Sequence, residues 1–154
     1  MNTEEILVQE QKAILKNFTK KDGWKLGNII RDLAGENKEK IVISIKFQDQ
    51  HLFYFAGKET VKDNEFWAKR KRGVVLRHEH SSYFVSKEYD GDEEEYYKHN
   101  AVNPADFAIH GGGFPIRVKS AGIVGSVVVS GLVSEEDHLL CYNGIIQLLQ
   151  EQMK

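Results

Sequence analysis

The segment AIHGGGFPIRVKSAGIVGSVVVSGL, residues 108–132, decides the fold of this chain. It contains strand-like runs at Phe114–Lys119 and Gly122–Leu132, joined by a short link that favours antiparallel pairing. Val127–Val129 are three consecutive apolar residues, so both faces of the second run need cover. The segment therefore predicts a central strand with helices on each side of the sheet.

Three consecutive glycines precede these strands and directly follow His110. Glycine adopts positive φ without strain and has no side chain to keep a ligand away from the backbone. We therefore expect a close approach of a ligand at this turn, and chemistry located between it and the segment Ser134–His138. The turn is not a dinucleotide fingerprint, because G-x-G-x-x-G is followed by a helix, whereas here a strand follows.

Apolar spacing predicts the elements upstream of this segment. Helical periodicity covers Thr3–Phe18, and a second helix begins near Asp22 and ends at Gly35. Alternating apolar residues in 41–47, followed by 51–56, predict a β-hairpin. Residues 63–77 form the third helical pattern.

The remaining elements complete the fold prediction. Ser81–Tyr97 mixes aromatic and acidic residues and predicts a short helix followed by a loop. Another strand is expected at Phe107–His110, and Ser134-x-x-Asp137 is similar to a capping box at the start of a closing helix that runs to Met153. The order ααββαβββα predicts an α+β fold, a three-layer α/β/α sandwich with a five-stranded antiparallel sheet. Without a repeat or linker, residues 1–154 are expected to form one domain.

Composition excludes several classes of protein. The formal net charge of -2 lacks the basic excess of a nucleic-acid-binding surface, so no nucleic-acid partner is expected. No run reaches about 18 apolar residues, so no membrane span is expected.

Cys141 is the single cysteine and lies on a helical apolar stripe, which indicates a core thiol. A cytoplasmic location follows as an expectation from the absence of a disulfide framework.

Several motifs taken together resemble one known family. They are Asp63-Asn64 with Trp67, Arg70 and Lys71, the Ser81-Ser82 pair, His110-Gly-Gly-Gly-Phe-Pro-Ile, and Val129-Ser-Gly-Leu followed by Asp137-His138. The combination covers nearly the whole chain and is similar to the GlcG/HbpS-like proteins, also called the heme-degrading domain family, in particular its small single-domain branch. The resemblance implies a profilin-like fold, assembly into dimers or larger rings, and a ligand pocket near the glycine turn. Heme is associated with some relatives.

The resemblance also implies a set of ligand-binding residues in this chain. They lie on a helix, at the glycine turn, at a strand end and at the start of the last helix: Trp67, Arg70, Lys71, Ser81, Ser82, His110, Gly111, Gly112, Phe114, Ser130, Gly131, Asp137 and His138.

The histidines and the aspartate each have a functional and a structural interpretation. His110 can ligate heme iron or act as an acid or base, or it can satisfy a turn carbonyl. His138 is disfavoured as a cation in the first turn of a helix, which predicts a neutral ring bound to a partner group. Asp137 lies three residues after Ser134 and is better explained as a cap.

The basic and hydroxyl side chains also have two interpretations. The run Lys69–Arg72 is most simply a solvated helix face. The resemblance singles out Arg70 and Lys71, whose charges suit the carboxylate of a heme propionate or a small organic acid. Ser81 and Ser82 can hydrogen-bond the same anion, although serine pairs also cap helices.

Two functions from different classes follow. The first is a small-molecule-binding protein that takes heme or a small anionic ligand at the glycine turn. The chain has no nucleophile motif, and whether the bound molecule is converted stays open. The second is a non-enzymatic oligomeric scaffold or protein-interaction module, in which Trp67, Phe114 and the basic run form the contacts between copies of the chain.

Overall fold

The computed structural model describes residues 1–154 and contains six helices and five strands. The helices are α1 Thr3–Lys12, α2 Lys20–Ala34, α3 Lys62–His78, α4 Ser82–Glu88, α5 Glu93–Asn100 and α6 Ser134–Gln152, and a 3₁₀ helix covers Gly35–Lys40. The strands are β1 Ile14–Leu15, β2 Val42–Phe47, β3 Gln50–Ala56, β4 Gly113–Val118 and β5 Gly122–Ser130.

The five strands form one sheet in the order β1-β4-β5-β2-β3, so β5 is the central strand, as its apolar run predicts. The expectation of a purely antiparallel sheet is wrong. β1 pairs in parallel with β4, with Ile14 opposite Arg117, while the other pairs are antiparallel. A parallel pair needs a long crossover connection, and here the connection is the whole middle of the chain.

The fifth strand is not the one that the sequence predicts. Phe107–His110 has no strand pairing, and its apolar residue Ile109 packs instead in a separate helical cluster. The predicted first helix stops at Lys12, and its expected continuation forms β1. Leu15 is fully buried, and its carbonyl accepts from Lys119 N at 2.9 Å. Pairing with a distant strand therefore overrides the local helical spacing.

Helices cover both faces of the sheet. Residues that point to one face, such as Ile43 and Val129, join the main core with α2 and α6. Their chain neighbours Val42 and Val128 point to the other face and contact Ala68 of α3. The result is three layers. Cys141 is fully buried within the main core, which confirms the core-thiol interpretation.

A second apolar cluster joins α1, α4 and α5 to the outer side of α3 and contains Ile6, Tyr96 and Ile109. Two helices, α4 and α5, therefore replace the predicted short helix and loop. Since Ile109 is fixed in this cluster, the next residue, His110, is held at the edge of the sheet. None of the helices combines the length and apolar character that a membrane span requires.

Candidate functional site

A cavity of about 250 Å³ lies where α3, the glycine turn, the end of β5 and the start of α6 meet. Its wall contains five of the residues predicted for the pocket, Trp67, Lys71, His110, Ser130 and Gly131. Three further residues complete it, Asn64, Leu132 and Ser134.

One face of α3 supplies the helical wall. Asn64, Trp67 and Lys71 are three and four residues apart, which places them on the same side of a helix. Asn64 accepts a hydrogen bond from Val61 N through its side-chain carbonyl at 2.8 Å, so its amide NH2 is left for the cavity. Trp67 donates through Nε1 to Asp63 at 3.2 Å, which fixes the indole.

His110 stands at the rim of the cavity with 40% of its side chain exposed. Its Nε2 hydrogen-bonds the Glu93 carboxylate, and its ring meets Trp67 edge to face at 5.1 Å between centroids. A carboxylate on one ring nitrogen fixes the imidazole and leaves the other nitrogen as a base or ligand. The imidazole is therefore held in one orientation by residues from two different helices.

Lys71 does not present a free charge to the cavity. Its Nζ lies 3.1 Å from Asp137 Oδ2 and 3.0 Å from Val129 O, and the two charged side chains are 5% and 0% exposed. Asp137 also accepts from the amides of Gly131 and Leu132. Burial is the largest influence on Asp137 and raises its pKa to about 6. The capping interpretation of Asp137 is wrong, because α6 has Val133 as its N-cap and no side-chain cap.

The glycine turn approaches the protein's own backbone rather than an open space. A Cβ on Gly111 would overlap Ser134 O, and one on Gly112, where φ is +127°, would overlap Val129 O. Ser82 stabilises the turn from behind, since its hydroxyl donates to His110 O and accepts from Gly113 N. The close approach expected at the glycines is thus made by α6 and β5. Among the residues of this turn, only His110 lines the cavity.

Arg70 and Ser81 point elsewhere. Arg70 donates to Pro104 O at 2.9 Å and to the Tyr97 hydroxyl at 3.0 Å, and its guanidinium lies over the Trp67 ring at 4.4 Å. Ser81 is the N-cap of α4 and donates to the Glu10 carboxylate. The expected pairing of Arg70 with Lys71 as a carboxylate clamp is absent from this arrangement.

Phe114 and His138 lie in the core behind the cavity. Phe114 is 1% exposed and packs against His138 with 5.6 Å between ring centroids. His138 is fully buried, and its Nε2 lies 2.6 Å from Gln9 Oε1. Burial lowers the pKa of His138 to about 4, which confirms the expected neutral ring with a partner.

Hydrogen-bond donors dominate the polar lining. Asn64, Ser130 and Ser134 line the cavity, and their side chains carry an amide and two hydroxyls that can donate. Ser134 begins α6, whose first turn lacks a side-chain cap, and free amides at a helix start favour a negative group. Together with Lys71, this wall can hold the oxygens of an anion without a free cation.

Sequence reasoning missed four residues here, for different reasons. Asn64 belongs to the quoted family motif and shares a helix face with Trp67 and Lys71, so helical spacing was a usable signal. Ser134 was assigned to a cap. Leu132 also belongs to a quoted motif, Val129-Ser-Gly-Leu, but was not included in the predicted set. Glu93 carries no local signal, because its position depends on how distant segments pack.

Comparison with known proteins supports one family. The family described as "Haem degrading protein HbpS-like" matches residues 18–146. A UPF0303 protein of Lactiplantibacillus plantarum is 38% identical over 147 residues, which cover 96% of this chain and 95% of the relative. The crystal structure of Ybr137w protein is 31% identical with a TM-score of 0.90, over 100% of this chain and 91% of that one.

A more distant solved structure, the PduOC:heme complex, has a TM-score of 0.65 at 14% identity and covers 88% of this chain and 95% of that one. At this identity the likeness establishes a shared fold alone. The family match and the two nearer relatives span most of the sequence, including the glycine turn and α3. The chain therefore belongs to the HbpS-like family.

Proposed function

We propose that this protein binds a small molecule, either heme or a small anionic ligand, in the cavity beside His110. The observation that carries the proposal is the orientation of His110, which is half exposed at the cavity rim and held between Glu93 and Trp67. An imidazole fixed by a carboxylate at the mouth of a donor-lined cavity is suited to contact a bound ligand.

Heme fits this site in part. A bound heme would supply an iron centre that an imidazole can ligate; His110 would hold it, with Trp67 and Leu132 as apolar contacts. The cavity of about 250 Å³ lies below the roughly 300–1,000 Å³ typical of pockets for drug-sized ligands, so it can enclose only an edge of the macrocycle. The relative solved as PduOC:heme complex supports heme as a ligand class for this fold.

A small anionic ligand fits the polar side of the cavity. Asn64, Ser130 and Ser134 offer uncharged donors, and the free amides at the start of α6 favour a negative group. The charge of Lys71 is balanced by Asp137, so hydrogen bonds rather than a net positive charge would hold the anion. Of the other residues predicted to bind ligand, Arg70 packs on Trp67, Ser82 holds the glycine turn, and Asp137 pairs with Lys71. The remaining predicted residues do not line the cavity: Ser81, Gly111, Gly112, Phe114 and His138.

A heme titration followed by absorbance tests the proposal. We expect added heme to give a saturable shift of the Soret band with the wild type, and the shift to be lost in His110→Ala. His99→Ala is the matched control, because His99 is exposed and lies outside the cavity. Equal shifts in wild type and His110→Ala would reject His110 as the heme ligand. Native mass spectrometry of the purified protein would then show whether it retains a small anion.

The alternative, an oligomeric scaffold, is favoured by one observation, the 61% exposure of Trp24 on α2. Phe114 cannot form a contact between copies of the chain, because it is buried in the core. We expect a homo-oligomer under either function. If Trp24 lies in the contact, Trp24→Ala lowers the sedimentation coefficient while the Soret shift stays unchanged.

A further inference from the structure

A second cavity, of about 270 Å³, lies on the neighbouring face of α3, between that helix and the strands β2 and β3. It shares no lining residue with the cavity beside His110. Its floor is formed by Arg72 and Ser44, and its rim contains Lys46, His51 and Tyr54.

Arg72 is a buried cation without a carboxylate partner. It is 8% exposed and donates through Nε to Ser126 Oγ at 2.8 Å and through Nη2 to Ser44 O at 2.8 Å. Burial lowers the pKa of Arg72 to about 10, so the guanidinium is charged at neutral pH. A buried charge without a partner of opposite sign is unfavourable, so a bound anion would stabilise Arg72.

The remaining edge of the guanidinium faces the cavity. Nη1 makes no hydrogen bond within the protein and is not fully enclosed, so it is left to meet a ligand in the cavity that Arg72 lines. His51 is anchored to the same serine, with Nε2 3.0 Å from Ser44 Oγ. The nearby positive charges of Lys46 and Arg72 add to burial in lowering the pKa of His51.

The charge around this cavity is strongly positive. Arg72, Lys46, Lys62 and Lys69 line it, against a single carboxylate, Glu65. Glu65 is already paired with Lys62, and Lys69 is paired with Asp106 outside the cavity. Lys46 and Arg72 have no acidic partner in the protein. The lining therefore carries a net positive charge that favours an anionic ligand.

We propose that this cavity is a second ligand site, which takes a small organic molecule bearing a carboxylate or phosphate group. Arg72 Nη1 donates to the oxyanion, since a guanidinium edge matches the geometry of carboxylate and phosphate oxygens. Lys46 supplies the second charge from the rim. The exposed rings of Tyr54 and Phe66, 43% and 54% exposed, flank the opening and would cover the apolar part of the ligand.

Calorimetric titration at low ionic strength tests the site with two probes, inorganic phosphate and benzoate. Replacing Arg72 risks unfolding, because its side chain joins α3 to β2 and β5, so Lys46→Gln carries the test. We expect saturable binding of benzoate to the wild type and a loss of affinity of about tenfold in Lys46→Gln, which corresponds to about 1.4 kcal/mol. Lys119→Gln makes the same charge change on an exposed residue outside both cavities and is expected to bind like wild type.

Each outcome decides the proposal. Benzoate binding that weakens in Lys46→Gln alone supports it, and tighter binding of benzoate than of phosphate supports an organic acid. Phosphate binding with the same variant pattern supports the phosphate form of the ligand. Absence of binding for both probes, or equal loss in Lys46→Gln and Lys119→Gln, overturns it. His110→Ala is expected to retain benzoate binding, which separates this site from the function proposed above.

Discussion

Lys71 and Asp137 form an ion pair that is almost completely removed from solvent, with Nζ and Oδ2 3.1 Å apart. The pair connects α3 to the first turn of α6 directly below the cavity beside His110. Two residues that sequence reasoning treated separately, as an anion clamp and as a helix cap, therefore neutralise each other. This pairing sets the position of the strand end at Gly131 and Leu132, whose amides donate to the same carboxylate.

Breaking the Lys71–Asp137 pair is expected to destabilise the protein strongly. Lys71→Met leaves the Asp137 carboxylate buried without a cation, and loss of one partner of a buried pair costs about 3–5 kcal/mol. The double variant Lys71→Met/Asp137→Leu removes both charges and is expected to recover most of that loss. Urea unfolding measures the free energies. A loss below about 1 kcal/mol in Lys71→Met would show that the pair is not fully desolvated.

Gly112 is expected to reject any side chain. A Cβ there would overlap Val129 O at a φ of +127°. Gly122 is the matched control, because its φ of +76° is also positive but nothing lies within 4 Å of an added Cβ. Gly122→Ala is expected to cost about 1–2 kcal/mol from backbone strain alone, and Gly112→Ala clearly more. Similar unfolding free energies for the two variants would mean that the backbone at Gly112 has room for a Cβ.

Much of the fold follows from sequence, and the exceptions have physical reasons. The central position of β5 follows from its run of valines, and α2 ends before Gly35 as expected. With a φ of 58° and a ψ of -128°, Gly35 does not adopt the left-handed helical conformation that usually ends a helix, and it begins the 3₁₀ helix instead. β1 is only two residues long and has no periodicity of its own, so nothing local distinguishes it from the end of a helix. Phe107–His110 has the apolar composition of a strand because Ile109 is buried among helices.

For the candidate site, the family resemblance indicated Trp67, Lys71 and His110, and the structure places all three at one cavity. The sequence alone does not indicate which distant group pairs with a given charged side chain. The Ser134-x-x-Asp137 spacing fits a cap, and only the packing of α3 against β5 brings Lys71 to that carboxylate. Glu93 is one of several acidic residues in its segment, and sequence alone does not indicate which of them reaches His110.

Glu93 is expected to strengthen ligand binding by His110 rather than to contact the ligand itself. Glu93→Gln keeps a hydrogen-bond acceptor but removes the charge beside the imidazole, and loss of such a partner typically weakens ligation by about 10- to 100-fold. We expect heme affinity to fall by about tenfold and the Soret shift to remain at saturation. Glu94→Gln, an exposed neighbour in α5, is the control. Identical titrations of Glu93→Gln and wild type would exclude this role for Glu93.

His138 is expected to reduce stability in mild acid. Its pKa falls from 6.5 to about 4 on folding, so below pH 6.5 the unfolded chain binds a proton that the folded chain does not, and stability is lost as pH falls toward 4. Asp137 acts in the opposite direction between about pH 6 and 3.8, because burial raises its pKa. His138→Gln removes the first contribution and keeps the second.

The variant His138→Gln is therefore expected to gain about 2 kcal/mol of unfolding free energy relative to wild type on going from pH 7 to pH 5. Urea unfolding of both proteins at the two pH values measures this difference. Parallel pH profiles of the two proteins would show that the ring of His138 titrates normally and is accessible to water.

The parallel pairing of β1 with β4 has a consequence for synthesis of the chain on the ribosome. Ile14 pairs with Arg117, a residue about a hundred positions later, which at typical elongation rates leaves the ribosome about 5 to 20 s afterwards. During that interval the nascent N-terminal segment has no edge to join, and Leu15 has no core to enter. Final closure of the sheet edge must therefore wait until the C-terminal third of the protein has been translated.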